Sequence, residues 1–441
     1  MKLNEKKFFE LAKENGFEAA DLVFSHSYSL SCSTFHKEVE SLSESDSYSV
    51  TGRGIVNGKF GLVLTEKIDK NTPEFLIKGI KETAGLIETD DPSIIFKGSE
   101  KYHKKNVFDK KVLSGDLSKQ IEILREIEDK LRAYDKRIDE VATVGYDETL
   151  AESTLSNSYG LKLKDKMATY SYYAEVTAKQ GEEIQTGFKV FASIVPGEFD
   201  IEKFVKDVAE DALRKLGSTQ CASKKYPTVL SQKTASQLLK AYLSNLDAEE
   251  VMKKSSLFVD KLHQPVASKK LTVIEDPLKK NIFFSYHDDE GVATSKRIII
   301  SKGVLETYLY TLETAQKAGV EPTGHGTRGA KVVASLNYAY VKPGKKSFEQ
   351  MIAPIKEGVY ITNLEGMHAG MNPKSGNFSL QAQGFMIRDG KIAEPLSLIT
   401  VAGNLVETFM SVKDIANDSE FQLNGLESPS IFIKKLAISG K

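Results

Sequence analysis

The chain has 441 residues, 40% of them hydrophobic and 27% charged, and 60 Lys and Arg against 61 Asp and Glu give a formal net charge of −1. That length predicts two domains rather than one core, and the charge balance excludes the basic excess of a dedicated nucleic-acid binder. No apolar run reaches the ~18 residues of a membrane span, no signal-peptide core opens the chain, and Cys32 and Cys221 stand far apart in no CxxC pattern.

In chain order, Leu3, Phe8, Leu11 and Ala12 have the spacing of an amphipathic helix ending near Gly16. Polar–apolar alternation then predicts strands at Asp21–Phe24, Ser27–Phe35 and Ser47–Ile55, and Asn57-Gly58 a tight hairpin into Phe60–Leu64. Phe75, Ile77, Ile80, Ala84 and Ile87 mark a second helix. A polar connector follows, from Asp90 to Lys111. Its lysines 101, 104, 105, 110 and 111 form the best basic patch, read as a solvated surface connection. Leu117, Ile121, Leu124, Ile127 and Leu131 follow one face of the clearest helix, with Ser114 or Asp116 as its cap. Strands resume from Val141 to Ala192, and a helix from Phe204 to Leu216 stops at Gly217. The helix–strands–helix pattern occurs loosely twice, which predicts an N-terminal α+β domain, residues 1–217, with a mostly antiparallel sheet.

After a linker, residues 222–441 read as a β-rich, barrel-like second domain. Thr228–Leu230 is a strand and Thr234–Leu246 a helix. Further strands are expected at Leu271–Ile274, Arg297–Ile300, Val304–Leu309, Val359–Thr362 and Ile431–Ile438. Between Asn363 and Leu405 lies a glycine-rich meander, turned at Asp389-Gly390. It carries one unusual loop, His368 to Gly376.

Residue chemistry alone identifies no catalytic set. None of the seven histidines is followed by Glu, so the paired-histidine helix of many zinc peptidases is missing. His287-Asp288-Asp289-Glu290-Gly291 is rich in oxygen ligands but lacks the spacing of a calcium loop, and an acidic turn capping a strand is the preferred reading. Gly324-His325-Gly326-Thr327 reads as a flexible surface loop, and both cysteines lie in polar contexts with no activating partner in sequence.

The stretch GMHAGMNPKSGNFSLQAQGF, followed by DGKIAEP and ITVAGNL, closely resembles the C-terminal domain of the TldD/PmbA family, known as modulators of DNA gyrase and containing metalloproteases. GRGIVNGKFGLVLTEKID, LSNSYGLKLK, KLHQPVASKKLTVIEDP, DDEGVATSKRIIISKGVLETYL and TGHGTRG match in order, so the resemblance spans essentially the whole chain. TldD-type members carry H-E-x-x-x-H on the helix opening this domain, and a cysteine near the C-terminus. Here Ser231, Gln232 and Ser236 occupy the His, Glu and His positions, and GLESPSIFIKKLAISG holds no cysteine. Hydroxyls and a carboxamide cannot supply the imidazoles and carboxylate of zinc hydrolysis. The loop is of the PmbA (TldE) type.

The resemblance therefore implies a non-catalytic, cytoplasmic subunit without a metal of its own, paired with a zinc-bearing TldD-type subunit, or with itself. An unfolded peptide would be the substrate, added as a strand, with no nucleic acid and no membrane involved. His368, Gly370, Asn372, Ser375 and Gly376 are the expected contact loop to peptide or partner. His263 and His325 depart from the family's Gly and Asn and read as surface variation. Two other readings stand beside this one. One is a self-sufficient hydrolase built from His368, His287 and the Asp288–Glu290 run. The other is a binding modulator of gyrase or DNA.

Overall fold

A computed structural model describes residues 3–88, 91–329 and 331–441; Asp90, at the start of the connector, lies outside them. The N-terminal half consists of one helix–three strand–helix unit used twice. Helix α1 (Glu5–Glu14), strands β1 (Ala19–Phe35), β2 (Glu38–Val56) and β3 (Lys59–Thr65) and helix α2 (Thr72–Ala84) form the first. Helix α3 (Leu117–Tyr134), strands β4 (Ile138–Asn157), β5 (Lys162–Gln180) and β6 (Glu183–Ser193) and helix α4 (Ile201–Leu213) form the second. Their strands join in one antiparallel sheet of order β3-β2-β1-β4-β5-β6, with β1 and β4 paired at the centre.

Local signals account for these elements. Asn4 caps α1 and Asp116 caps α3 through side-chain oxygens. Asn57 and Gly58 both take positive φ, as the tight hairpin between β2 and β3 requires. Each helix pair buries its apolar stripe on its own half of the sheet. Phe8, Leu76 and Ile80 meet Leu22 and Val50, whereas Leu124, Ile127 and Val208 meet Val144 and Val176. Cys32, expected in a polar context, is fully buried in the second of these cores, and Cys221 is buried in the core of the C-terminal half. The two predicted strands Asp21–Phe24 and Ser27–Phe35 are a single strand of 17 residues. The intervening Ser25 and His26 continue its alternation, with polar side chains on both faces.

The C-terminal half is built on a closed five-stranded barrel. Strand β7 (Lys224–Leu230) lies between Glu357–Glu365, to which it is parallel, and Ile431–Ser439; Asn377–Arg388 and Lys391–Asn404 complete the ring. Pairing of Thr400 with Ser439 through Ala402 with Ala437 closes it. A second sheet of short strands runs Val304–Leu305, Arg297–Ser301, Val273–Glu275, Ala339–Val341 and Leu426–Glu427. The strand expected over Val304–Leu309 is thus only two residues long. Helix α5 (Gln232–Leu243) follows β7 and buries Leu238, Leu239 and Tyr242.

Gly384 shows how tightly the barrel closes, because a Cβ there would sit 1.9 Å from the Tyr360 carbonyl oxygen. Gly384→Ala is expected to lower the urea midpoint by the equivalent of about 2 kcal/mol or more, and an unchanged midpoint would show that the strands can part there.

The connector does more than run over the surface. Its five lysines are exposed, but Lys105 donates to the Leu278 carbonyl at 2.8 Å and Tyr102 to that of Gly291 at 2.7 Å. It therefore ties the first half of the chain to the second.

Candidate functional site

The start of α5 is the first place to look for chemistry. Ser231 caps the helix, its Oγ accepting the Thr234 amide, while Thr234 Oγ1 donates to the Ile361 carbonyl at 3.0 Å. Gln232 Nε2 donates to the Asp418 carboxylate at 2.9 Å and to its carbonyl at 3.0 Å. Asp418 also accepts the Ser430 amide at 2.8 Å and hydroxyl at 2.7 Å. Ser236, fully buried, lies 2.7 Å from the Leu426 carbonyl and 2.9 Å from Asn424 Oδ1. These partners engage the Ser231 and Ser236 hydroxyls and the Gln232 amide nitrogen in place. A tetrahedral zinc ion takes imidazole, thiolate or carboxylate donors. Ser231, Gln232 and Ser236 offer none of these, and their hydroxyls and the Gln232 amide nitrogen are already engaged, so these residues do not fit zinc. Among the described residues, no group of three or more His, Cys, Asp and Glu side chains could hold a metal ion.

The glycine-rich loop is ordered by its own chemistry. A single turn, Met367–Gly370, leads into it, and Asn372 Oδ1 accepts the amides of Lys374 and Ser375 at 3.1 and 3.0 Å. Gly376 takes φ +75° and donates to the Asn372 carbonyl at 2.8 Å. A Cβ on Gly370 would meet the Ser379 carbonyl at 2.3 Å, so that glycine is needed for close approach. Outside the loop, Asn245 Nδ2 donates to the Pro373 carbonyl at 3.1 Å, and Lys374 pairs with Glu250 at 2.8 Å. The loop thus docks beyond the C-terminal end of α5, while Ser231, Gln232 and Ser236 occupy the helix's first turns. His368 is exposed and makes no hydrogen bond or ion pair among the described residues.

With this geometry in hand, two sequence profiles match the chain. That of the PmbA/TldA metallopeptidase C-terminal domain covers residues 223–440, and that of the central domain covers 111–216. This chain belongs to the PmbA/TldD family. A protein of Methanothermobacter thermautotrophicus named metalloprotease is 28% identical over 284 residues, which are 63% of this chain and 62% of that relative. A solved structure from Thermotoga maritima, named for modulation of a DNA gyrase, superposes with a TM-score of 0.92 at 26% identity, over 99% of both chains. TldE from Thermococcus kodakarensis gives 0.88 at 22% identity, over 98% of this chain and 100% of that one, and so shares the fold.

Two further features of this PmbA/TldD chain were misread or missed in the sequence. The acidic run and the Gly324–Thr327 segment are not surface turns; they clasp each other at the junction of the two halves. Gly326 donates its amide to Asp288 Oδ2 at 2.8 Å, and Asp289 donates its own to the Gly326 carbonyl at 2.9 Å. Glu290 accepts the amide of Leu312 at 2.8 Å. His325 is not surface variation either: it is 4% exposed and lies 2.6 Å from the carboxylate of Glu275, itself 1% exposed. His263 is exposed and takes φ +59°, a conformation glycine adopts freely, consistent with the family's Gly there. His287 bridges the halves, with Nε2 2.6 Å from Asp165 on β5 and Nδ1 2.7 Å from the Asp288 carbonyl. Both ring nitrogens face acceptors, an arrangement that favours the protonated ring; burial opposes it, but Asp165 and the Asp288 carbonyl raise the ring above its ordinary value. His287 therefore has no free lone pair for base catalysis or metal binding.

The second feature is a serine ladder. Across β1 and β2, Ser25, Ser27, Ser29, Ser31 and Ser33 pair with Ser49, Ser47, Ser45, Ser43 and Ser41. The row continues through Ser153, Ala151, Thr149, Asp147 and Gly145 on β4. Alternate residues share one face, so this face of the sheet carries small, mostly hydroxylated side chains. Its signal in the sequence is serine at every second position from Ser25 to Ser33 and from Ser41 to Ser49.

Proposed function

We propose that this chain is the non-catalytic, PmbA/TldE-type subunit of a cytoplasmic metalloprotease complex. Its partner is a TldD-type chain holding the zinc ion, and its substrate an unfolded peptide. The observation that carries this reading is the start of α5. At the positions where that partner carries His, Glu and His, serines and a glutamine here close a hydrogen-bonded network with Asp418, Asn424 and Leu426. When bound in the partner, zinc would supply the activated water for hydrolysis. This chain's task is then to hold and orient the peptide. A face of short hydroxylated side chains suits a wall that does not read sequence, since main-chain pairing elsewhere supplies affinity without side-chain selection.

The test is co-expression with a TldD-type chain, followed by metal analysis and assay on an unfolded peptide. The expected result is a stable complex with zinc in the partner, and cleavage only when both chains are present. Stoichiometric zinc and cleavage in the isolated chain would overturn the reading. Within the complex, His368→Ala is expected to weaken partner or peptide binding with no change in thermal midpoint, because the side chain is exposed and unbonded. Unchanged affinity for both would reduce the loop to architecture.

A further inference from the structure

An open cleft borders the clasp. It holds about 400 Å3 between α5, the 282–289 and 324–327 segments and the 335–337 turn, within the size range of small-ligand sites. Its ends differ in chemistry. At one end Lys240 makes a single hydrogen bond, to the Asn424 carbonyl at 2.8 Å; an ammonium has three donors, so two stay unused. A Cβ on Gly425 would lie 3.6 Å from that Nζ and 3.7 Å from the Phe283 ring, so cation and aromatic wall converge there.

At the other end stand Asp288 and Asp289. Asp289 is exposed and uses one oxygen on the Arg328 amide at 2.8 Å; its other oxygen has no hydrogen bond among the described residues. Asp288 is buried, its two oxygens already accept the amides of Glu290, Val292 and Gly326, and its carboxyl is pushed up to about 7 by burial and by Glu290 beside it. A cation arriving there would favour its ionised form. Of the two histidines lining the cavity, His325 faces Glu275, and His287 brings to the acidic end a charge that Asp165, 2.6 Å from its Nε2, offsets.

We propose that the cavity binds a short peptide by both of its free ends, the terminal carboxylate on Lys240 and the terminal ammonium at the Asp288–Asp289 end. An apolar side chain would lie against Phe283. The inference rests on the proposed function only for its source of such peptides, the fragments a zinc-bearing partner releases.

Calorimetric titration of the isolated full chain with Ala-Leu-Ala tests it, beside the N-acetylated and C-amidated forms of the same tripeptide. The free tripeptide is expected to bind one site, and each cap to weaken binding about tenfold or more, the worth of a charge-assisted hydrogen bond. Lys240→Met should erase the difference between free acid and amide, and Asp289→Asn should reduce that between free amine and acetyl. Absence of saturable binding by the wild-type chain, or equal binding of capped and free peptides, would overturn the proposal. Because no partner is present, that result is independent of whether a metalloprotease complex forms.

Discussion

Asp21→Asn is expected to destabilise the chain by about 3–5 kcal/mol, the usual cost of breaking a buried ion pair from one side. Asp21 is 2% exposed and faces Arg53, 3% exposed, across the β1–β2 pair, with Arg53 Nε 2.9 Å from Oδ1. Arg328, from the other half of the chain, donates to the same carboxylate at 3.1 Å. Burial alone would raise the Asp21 carboxyl; the two guanidinium groups outweigh it and hold the group below its ordinary value. A neutral amide would leave two cations nearly out of water with only Asp289 and Glu290 nearby. Urea denaturation at neutral pH measures the loss, and one below ~1 kcal/mol would show that water reaches the pair. Adding Arg328→Met should recover part of the stability, since it removes one stranded charge. Hydrogen exchange should meanwhile rise first in residues 286–293, where the halves meet.

The same junction predicts an unusual dependence on pH. Asp288 is pushed up to about 7 by burial and Glu290, and Glu290 is raised by burial. Burial would lower His287, but Asp165 and the Asp288 carbonyl outweigh it and raise the ring. All three groups hold protons more tightly folded than unfolded. Their contribution is therefore present at low pH and lost as pH rises through the folded values. For Asp288 the loss is spread between the ordinary carboxylate range and about 7, and is worth on the order of 4 kcal/mol. Asp21 acts in the opposite sense, but its titration lies below this window. The urea midpoint should fall between about pH 5 and 7, and Asp288→Asn should flatten that fall even where it lowers the midpoint overall. A wild-type midpoint that is level or rises over this range would remove Asp288 as its cause.

The features legible in the sequence were those decided by near neighbours. Asn57-Gly58 and Asp389-Gly390 announce their turns because both need positive φ, and both take it. Helix α3 announces itself by an apolar stripe that finds its core within one structural unit. The clasp did not, because an acidic run is ordinarily solvated; only the arrival of Gly326, Leu312 and the two arginines makes its burial tolerable. His325 was misread for the same reason, its partner Glu275 being 50 positions away. The second sheet has strands of two to five residues, too short for any period to declare itself. At the start of α5 the residue identities carried the inference, and the structure added what they do instead: cap the helix and bind the segment from Asp418 to Ser430.

The serine ladder has a consequence for how the β1–β2 hairpin finds its alignment. A row of identical rungs cannot distinguish one setting from another two residues away, because serine would again meet serine. A one-residue slip is different: it would turn every rung against a larger side chain. The tip alone would produce that slip, since Phe35 pairs with Glu38 and Thr34 with Val39. A bulge between Ser33 and Thr34 advances the opposite strand by one residue, so that Ser33 meets Ser41. Glu40, the residue set aside there, works as the vernier of the hairpin. At the far end, Leu22 and the Asp21–Arg53 pair lock the same count. The alignment of this long, uniform surface is thus stored at its two ends.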